Sequence, residues 1–419
     1  MSQAVPPTAA SPMPQAASGP ALARNLSLTM LVLYGLGVTI GAGIYVLIGA
    51  AGARAGSNAP IAFLIAAAIM GLSGASFAEL ASRLPVSAGE AAYVEAGLGS
   101  RRIGFATGLL VVVAALISSA AIAQGAAGYI GQFIGLPGVV LTVAVIILTG
   151  VVAAWGISEA VWAAAVMTVI ELAGLLVVIV AGLWQDPAIL ARAPEAFVGL
   201  GSASAWSGIF GATMLAFFAF IGFEAMVNVA EEVEEPARTL PLAIAITLVV
   251  ATALYILVVW VANHAVPRAE LAASPAPLSL VFERLTGASP TLINLIAILA
   301  TVNGVIVQTV MASRVLYGMS RQGTLPPALG EVHAVTHTPL KATAMAVLLT
   351  LIAAVALPLE ALADLTTQAM LVVFALVNLA LLAMKRRGEV ATGGVSVPIW
   401  VPAAGFLSCI GLLLADVLR

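Results

Sequence analysis

The 419-residue sequence has few charged residues, one cysteine and three histidines. Charged side chains make up only 8% of it, whereas about a quarter of an average soluble domain is charged. This shortage excludes a soluble globular protein. The single cysteine, Cys409, excludes an internal disulfide and a cysteine-built metal cluster. No basic stretch is dense enough to indicate a nucleic-acid partner.

Apolar residues dominate instead, at 62% with a mean hydropathy of +1.13. Runs long enough to cross a bilayer, which takes about 20 residues, begin after Arg24. The sequence therefore predicts an all-α integral membrane protein with no separate soluble domain and no cofactor. The eleven predicted spans are 27–53, 59–82, 103–132, 137–155, 160–183, 206–231, 239–262, 290–319, 341–358, 361–384 and 397–417.

The N-terminal segment 1–25 predicts a disordered tail, because it is rich in proline and alanine and carries no charge before Arg24. It lacks the positively charged start and apolar run of a signal peptide. With this tail in the cytoplasm, eleven lysines and arginines fall at inner span ends and five at outer ends. The positive-inside rule then predicts a multi-pass protein of the cytoplasmic membrane with its N-terminus inside.

A glycine cluster interrupts the first apolar run. Gly35, Gly37, Gly41 and Gly43 lie close together, and each weakens a helix by about 1 kcal/mol relative to alanine. Unwound backbone at membrane depth persists only where it faces protein or a water-filled cavity. The cluster therefore predicts a broken helix whose freed amides and carbonyls bind a ligand. Glycines that only permit close helix packing are the alternative.

A second interruption is predicted at Gly222, within the stretch FFAFIGFE at 217–224. Each break opens a block of five spans, and because five is odd the second block enters the membrane from the opposite side. Interrupted segments at matching positions of two inverted halves are typical of a transporter binding site. The predicted organisation is a first five-helix repeat at 26–200, a second at 201–388, and an additional transmembrane helix at 389–419.

The two breaks together predict a site with two poles. The half-helix that starts near Gly43 presents free N–H groups and the positive end of its dipole, which suit a carboxylate. The half-helix that ends near Phe220 presents free carbonyls and the negative end, which suit an ammonium group. A carboxylate and an ammonium held by backbone describe an α-amino acid.

Three stretches resemble the amino acid-polyamine-organocation (APC) transporters, especially their bacterial amino acid permeases and their cationic amino acid transporter-like branch. They are GAGIY at 41–45, FFAFIGFEAMVNVAEEVEEPARTLP at 217–241 and SRVLYGMSRQGTLP at 313–326. The resemblance covers about residues 25–385. It implies the inverted five-helix repeat of the leucine transporters, with broken helices 1 and 6, alternating access and amino acid substrates. Most relatives have twelve helices, whereas this chain has eleven predicted spans.

The resemblance also implies which residues meet the substrate. At the first break these are Gly41, Ala42 and Gly43, at the carboxylate, and Thr39, Ile40 and Ile44 are further substrate-binding candidates. At the second break they are Phe218, Ile221 and nearby carbonyls, at the amine, and Phe220 and Gly222 are further candidates. Phe218, Phe220 and Phe223 are also candidates for an aromatic gate, although lone aromatic residues more often serve packing. Polar residues on the flanking spans are Ser118, Ser119, Asn303 and Gln308; serines, however, often bond back to their own helix.

Among the carboxylates within predicted spans, Glu171 and Glu224 are the functional candidates, because a charge at mid-bilayer costs about 2.5–3.5 kcal/mol on insertion scales and indicates function by default. Glu171 lies halfway along the fifth span, and proton coupling is predicted for it, with a static ion pair to Arg314 as the alternative. Glu224 directly follows the second break. Gating or proton sensing is predicted for it, with capping of unwound amides as the alternative.

These observations predict a secondary active transporter that moves amino acids by alternating access, as a proton-coupled symporter. Amino acid or polyamine exchange or export remains open, and so does the oligomeric state. No acid is evident to pair with a cationic substrate side chain, which favours neutral amino acids. A membrane-embedded enzyme or electron-transfer subunit is disfavoured, because metal and haem sites need clustered ligands and all three histidines lie outside the predicted spans.

Overall fold

The computed structural model describes residues 26–41, 43–84, 89–155, 161–321, 323, 325–389 and 394–418. The predicted tail at 1–25 and the predicted site residue Ala42 lie outside these ranges. The described chain is helical and contains no strand, only one isolated β-bridge. The prediction of an all-α protein is therefore confirmed.

Fifteen α-helices and four 3₁₀ helices make up the described chain. The α-helices are α1 (Leu28–Ile40), α2 (Gly43–Ala55), α3 (Ala59–Arg83), α4 (Gly89–Leu98), α5 (Arg101–Ile130), α6 (Gly138–Trp155), α7 (Val161–Gln185), α8 (Ala203–Phe220), α9 (Pro236–Ala265), α10 (Arg268–Ala273), α11 (Pro277–Thr286), α12 (Thr291–Arg321), α13 (Leu340–Ala356), α14 (Leu359–Arg386) and α15 (Trp400–Val417). The 3₁₀ helices are Gly56–Asn58, Ile189–Phe197, Phe223–Glu232 and Pro327–Gly330.

Nine stretches of the described chain are long and apolar enough to cross a membrane. One of them, Gly43–Arg83, contains both α2 and α3, and the apolar helices α1 and α13 are shorter than the others. The protein is thus a multi-pass membrane protein. The count of eleven spans and the inverted repeat remain predictions.

Both predicted helix breaks are present. The helix α1 ends at Ile40 and α2 begins at Gly43, while α8 ends at Phe220. After the second break the chain continues as the 3₁₀ helix Phe223–Glu232, and not as the α-helix that the predicted span 206–231 implies. The physical reason is that Ile221 is already extended, with a ψ of 131°, and that Gly222 follows with a φ of 138°, which is readily adopted only by glycine.

The two breaks cross each other at backbone contact distance. A Cβ atom on Gly43 would overlap the Cα atom of Ala219 in α8. Reciprocally, a Cβ atom on Gly222 would lie 2.7 Å from the carbonyl oxygen of Val38 in α1. Each break therefore uses a glycine to bring its backbone against the other broken helix, and larger residues would push the two apart.

The end of the bundle that holds Leu26, here called the N-terminal end, is fastened by backbone and charge. Leu26 donates to Glu232 and accepts from Glu234, both at 3.0 Å. Nearby, the fully buried carboxylate of Glu79 pairs with Arg83 and, at 2.7 Å, with Lys385, and it accepts the Val397 N–H at 2.7 Å. Glu79 thus joins α3 to α14 and to the segment before α15.

The opposite end is fastened by Arg54, at the end of α2. Its guanidinium donates at 2.9 Å to the carboxylates of Asp364 and Glu360 on α14 and to the carbonyl of Gly211 on α8. The half-helices α2 and α8 and the start of α14 are therefore held together at this end. The two breaks lie between the two fastened ends.

The close approach at Gly222 gives a first prediction. Gly222→Ala adds a methyl group against the Val38 carbonyl and forces a strained φ, and we expect a loss of about 3 kcal/mol in unfolding free energy. Thermal unfolding of the purified protein in detergent measures this loss. Gly199→Ala is the matched control, because Gly199 has a φ of 81° but nothing within 4 Å. Equal losses in both variants would mean that the crossing contact is not important for stability.

Candidate functional site

A small cavity, with a volume of about 30 Å³, lies where the two breaks cross. The helices α1, α2, α5 and α12 contribute to its wall, together with the end of α8 and the break that follows it. Its lining residues are Gly37, Val38, Thr39, Gly43, Ser118, Ile122, Phe218, Ile221, Asn303, Gly304, Val307 and Gln308. The described lining contains no ionisable side chain.

Several predicted site residues meet in this cavity, from four different parts of the chain. They are Thr39, Gly43, Ser118, Phe218 and Ile221, with Asn303 and Gln308 from the flanking helix. The structure therefore brings the two breaks, α5 and α12 around one space.

The other described candidates do not line the cavity. Ile40, Ile44 and Phe220 are fully buried in the core, and the Phe220 ring packs on Tyr255 at a centroid distance of 4.9 Å. Gly222 lies behind the cavity, against the backbone of Val38. The remaining two, Gly41 and Ser119, are buried beside it.

Three side-chain atoms on residues that line the cavity have no hydrogen-bond partner within the described part of the chain. They are the Thr39 hydroxyl, the Asn303 side-chain carbonyl and the Gln308 side-chain carbonyl. Buried polar groups in proteins are nearly always hydrogen-bonded, to protein or to water. Three unpartnered groups around one cavity therefore favour a polar ligand over an apolar one.

The backbone supplies opposite electrostatic poles. Gly43 begins α2 and lines the cavity, so the unpaired N–H groups of that first turn and the positive dipole end are close to it. Phe218 and Ile221 lie at the end of α8, where carbonyl oxygens and the negative dipole end are found. Helix ends of opposite polarity therefore flank the cavity, without any charged side chain in its described lining.

Tyrosines missed by the sequence prediction support the breaks from behind. The Tyr255 hydroxyl of α9 lies 2.8 Å from the carbonyl oxygens of both Thr39 and Ala219, and so bridges the ends of α1 and α8. The Tyr45 hydroxyl donates to the Glu171 carbonyl, and the Tyr129 hydroxyl donates to the Tyr45 carbonyl, both at 2.6 Å. In sequence these tyrosines look like ordinary apolar positions.

Glu171 lies beside the first break and is fully buried. Its Oε2 atom is 3.9 Å from the position that a Cβ on Gly41 would occupy. Arg314, by contrast, is exposed, and no ion pair joins it to Glu171 among the described residues. The static pairing that the sequence left open is therefore not formed.

Glu224 lies beside the second break. It is 7% exposed, and its Oε2 atom accepts the N–H of Gly222 at 2.8 Å. The capping contact that the sequence left open as an alternative is therefore present. One buried carboxylate thus accompanies each helix break.

Comparison with protein families assigns the chain to a known family. The amino acid permease family model matches residues 26–417, which is nearly the whole chain. The chain belongs to this family. It is therefore a transporter of the amino acid permease type and not an enzyme.

The individual relatives are all named as transporters or permeases, but their names give different substrates. The chain is 30% identical to the branched-chain amino acid permease BcaP of Bacillus subtilis, over 94% of this chain and 88% of the relative. It is 30% identical to the vacuolar cationic amino acid transporter 2 of Arabidopsis thaliana, over 88% of this chain and 60% of the relative. The methylthioribose transporter of Bacillus subtilis is 28% identical, with coverages of 92% and 86%.

The Thr39 hydroxyl gives a second prediction. Thr39→Val keeps the shape of the side chain and removes a hydroxyl that makes no bond within the protein, so folding stability should hold while amino acid affinity falls about 2- to 12-fold. Isothermal titration with a substrate amino acid measures the affinity. Thr301→Val is the control, because the Thr301 hydroxyl is buried and bonds to the Ala297 carbonyl of its own helix at 2.7 Å. Unchanged affinity in Thr39→Val would remove Thr39 from the site.

Proposed function

We propose that this protein is a secondary active transporter that moves neutral α-amino acids across the cytoplasmic membrane by alternating access, as a proton-coupled symporter. The observation that carries the proposal is the cavity between the two crossing helix breaks, which has backbone poles of both signs and no ionisable side chain in its described lining. Membership of the amino acid permease family supports it.

The substrate is oriented by the two poles. Its carboxylate binds the N–H groups at the start of α2, near Gly43, with the Thr39 hydroxyl beside it. Its ammonium group meets the carbonyls at the end of α8, near Phe218 and Ile221. The substrate side chain then points towards the wall formed by α5 and α12, lined by Ser118, Ile122, Asn303, Val307 and Gln308.

The absence of a charged side chain from the described wall determines which class of amino acid can bind. A cationic side chain taken out of water needs a paired carboxylate, because an isolated buried charge is strongly disfavoured. The described wall offers amide, hydroxyl and apolar groups instead. Neutral amino acids therefore fit, including polar ones that bond to Asn303 or Gln308.

The two halves of the chain move as inverted repeats. The repeats at 26–200 and 201–388 each begin with a broken helix, and the reciprocal glycine contacts at Gly43 and Gly222 support this symmetry. The helix α15 is an addition outside both repeats. The excess of basic residues at the N-terminal end of the bundle orients that end towards the cytoplasm.

Proton coupling is assigned to Glu171. Its carboxylate is buried beside Gly41 and is not among the lining residues of the cavity. A change in its charge alters the electrostatic potential at the broken backbone that binds the substrate carboxylate. Protonation of Glu171 therefore favours binding of that carboxylate, which links the two cargoes.

A substrate panel tests the neutral cavity. Neutral amino acids should raise the thermal unfolding temperature of the purified protein, and the same compounds should enter proteoliposomes; lysine, arginine and putrescine should do neither. Radiolabelled uptake and thermal shift are measured on one preparation. If a cationic substrate stabilised the protein and entered the proteoliposomes at similar concentrations, the proposal that the neutral wall excludes cationic side chains would be wrong.

A variant tests the coupling. Glu171→Gln keeps the size of the side chain but cannot exchange a proton, so we expect net uptake driven by an inward proton gradient to fall at least tenfold while amino acid exchange at equal pH persists. Glu283→Gln, on the exposed face of α11, is the control. Gradient-driven uptake that survives in Glu171→Gln, or wild-type transport that ignores the gradient, would contradict the symport assignment.

A further inference from the structure

A buried carboxylate that the proposed transport cycle does not use lies at the N-terminal end of the bundle. Glu90 is on α4, the short helix between α3 and α5, and is only 4% exposed. Its Oε1 atom has no hydrogen-bond partner among the described residues, although buried carboxylates are normally paired or hydrogen-bonded. Burial, together with the nearby carboxylate of Glu224, raises the pKa of Glu90 to about 8.

Aromatic packing holds the two carboxylates in one interface. The Phe77 ring on α3 contacts the Tyr93 ring at a centroid distance of 6.3 Å and the Phe223 ring at 5.6 Å. Tyr93 lies one helical turn after Glu90 on α4, and Phe223 directly precedes Glu224. The interface between α4 and the 3₁₀ helix Phe223–Glu232 therefore buries both acids. The Tyr93 hydroxyl in the same interface also lacks a partner.

The surrounding charges are engaged elsewhere or face solvent. Arg83 and Lys385 pair with Glu79, and Arg387 pairs with Glu389 at 2.7 Å and donates to the Gly97 carbonyl at 2.6 Å. The other charged groups on the elements around the pair, all at least partly exposed, are Glu95, Arg101, Arg102, Glu232 and Arg386. Among the described residues, no ion pair neutralises Glu90 or Glu224.

We propose that Glu90 and Glu224 form one coupled proton-binding site, and that the proton bound there keeps the interface between α4 and Phe223–Glu232 closed. Two carboxylates buried in one interface cannot both ionise at low cost, so the titration of each depends on the other. When the interface separates, water reaches the pair, the O–H bond of the bound proton breaks, and the proton leaves to the solvent on that side.

The direction of the pH effect follows from linkage. The closed interface holds a proton up to about pH 8, whereas a solvated glutamate releases it near its ordinary value of 4.5. The closed form therefore binds more protons between these values and loses stability relative to the open form as the pH rises through this window. Since the positive-inside rule assigns this end to the cytoplasm, cytoplasmic acidification closes it.

Infrared titration tests the site directly. The protein in lipid bilayers should lose a protonated-carboxyl band with a midpoint of about pH 8, and Glu90→Gln should lack that band. In Glu224→Gln the band should remain but its midpoint should move down by at least one unit, a tenfold change in proton affinity, because the neighbouring negative charge is gone. Glu95→Gln, on the exposed side of α4, should behave as the wild type.

Hydrogen–deuterium exchange tests the closure. After correction for intrinsic rates, exchange in 89–98 and 223–232 should accelerate in the wild type as the pH rises towards 8, and in Glu90→Gln this acceleration should move to lower pH, because only Glu224 is left to bind the proton. An unshifted pH dependence in Glu90→Gln, or an unmoved midpoint in Glu224→Gln, would overturn the proposal. If Glu90→Gln does not fold, the midpoint in Glu224→Gln alone decides. Neither readout needs a substrate, so failure here is separable from failure of the transport proposal.

Discussion

The close crossing of two broken helices is the constraint on which the rest of this structure depends. Gly43 lies against Ala219, and Gly222 lies against Val38, so each break is held open by the backbone of the other. Unwound backbone in a membrane must be satisfied by protein or by a cavity. Here both occur. The Tyr255 hydroxyl lies 2.8 Å from the carbonyl oxygens of Thr39 and Ala219, and a cavity lies where the breaks cross.

The crossing lies between two ends of the bundle, and ion pairs and hydrogen bonds hold the helices together at each end. Arg54 joins α2, α8 and α14 at one end, and Glu79 joins α3 to α14 at the other. At the Arg54 end, Glu360 is exposed and its pair is of the kind that contributes little stability, whereas Arg54 and Asp364 are both largely shielded from solvent. Glu79 is fully buried with two cations, and removal of one partner from such a cluster is strongly destabilising.

The sequence predicts the fold better than it predicts the site. The length and hydropathy of the apolar runs predict the helices. Gly41, Gly43 and Gly222 predict both breaks, because glycine weakens a helix wherever it occurs. Apolar cavity residues such as Ile122 and Val307 carry no such signature, since they look like any lipid-facing or packing residue. Glu90 also escapes prediction: it lies in a polar connecting segment, where a glutamate is ordinarily solvated, and only tertiary packing reveals its burial.

The residues proposed to recognise the substrate are different from the buried residues that can carry a charge. In the proposed transport cycle the cavity recognises its ligand through backbone poles and neutral side chains, while the buried carboxylates Glu171 and Glu224 lie beside the breaks and are not among its lining residues. A carboxylate inside the cavity would repel the substrate carboxylate and compete for its ammonium group. Placed behind the breaks, the same charge acts through the backbone that it contacts, as Glu224 does through the Gly222 N–H. Because the substrate touches that same broken backbone, proton binding and substrate binding can influence each other without sharing a ligand.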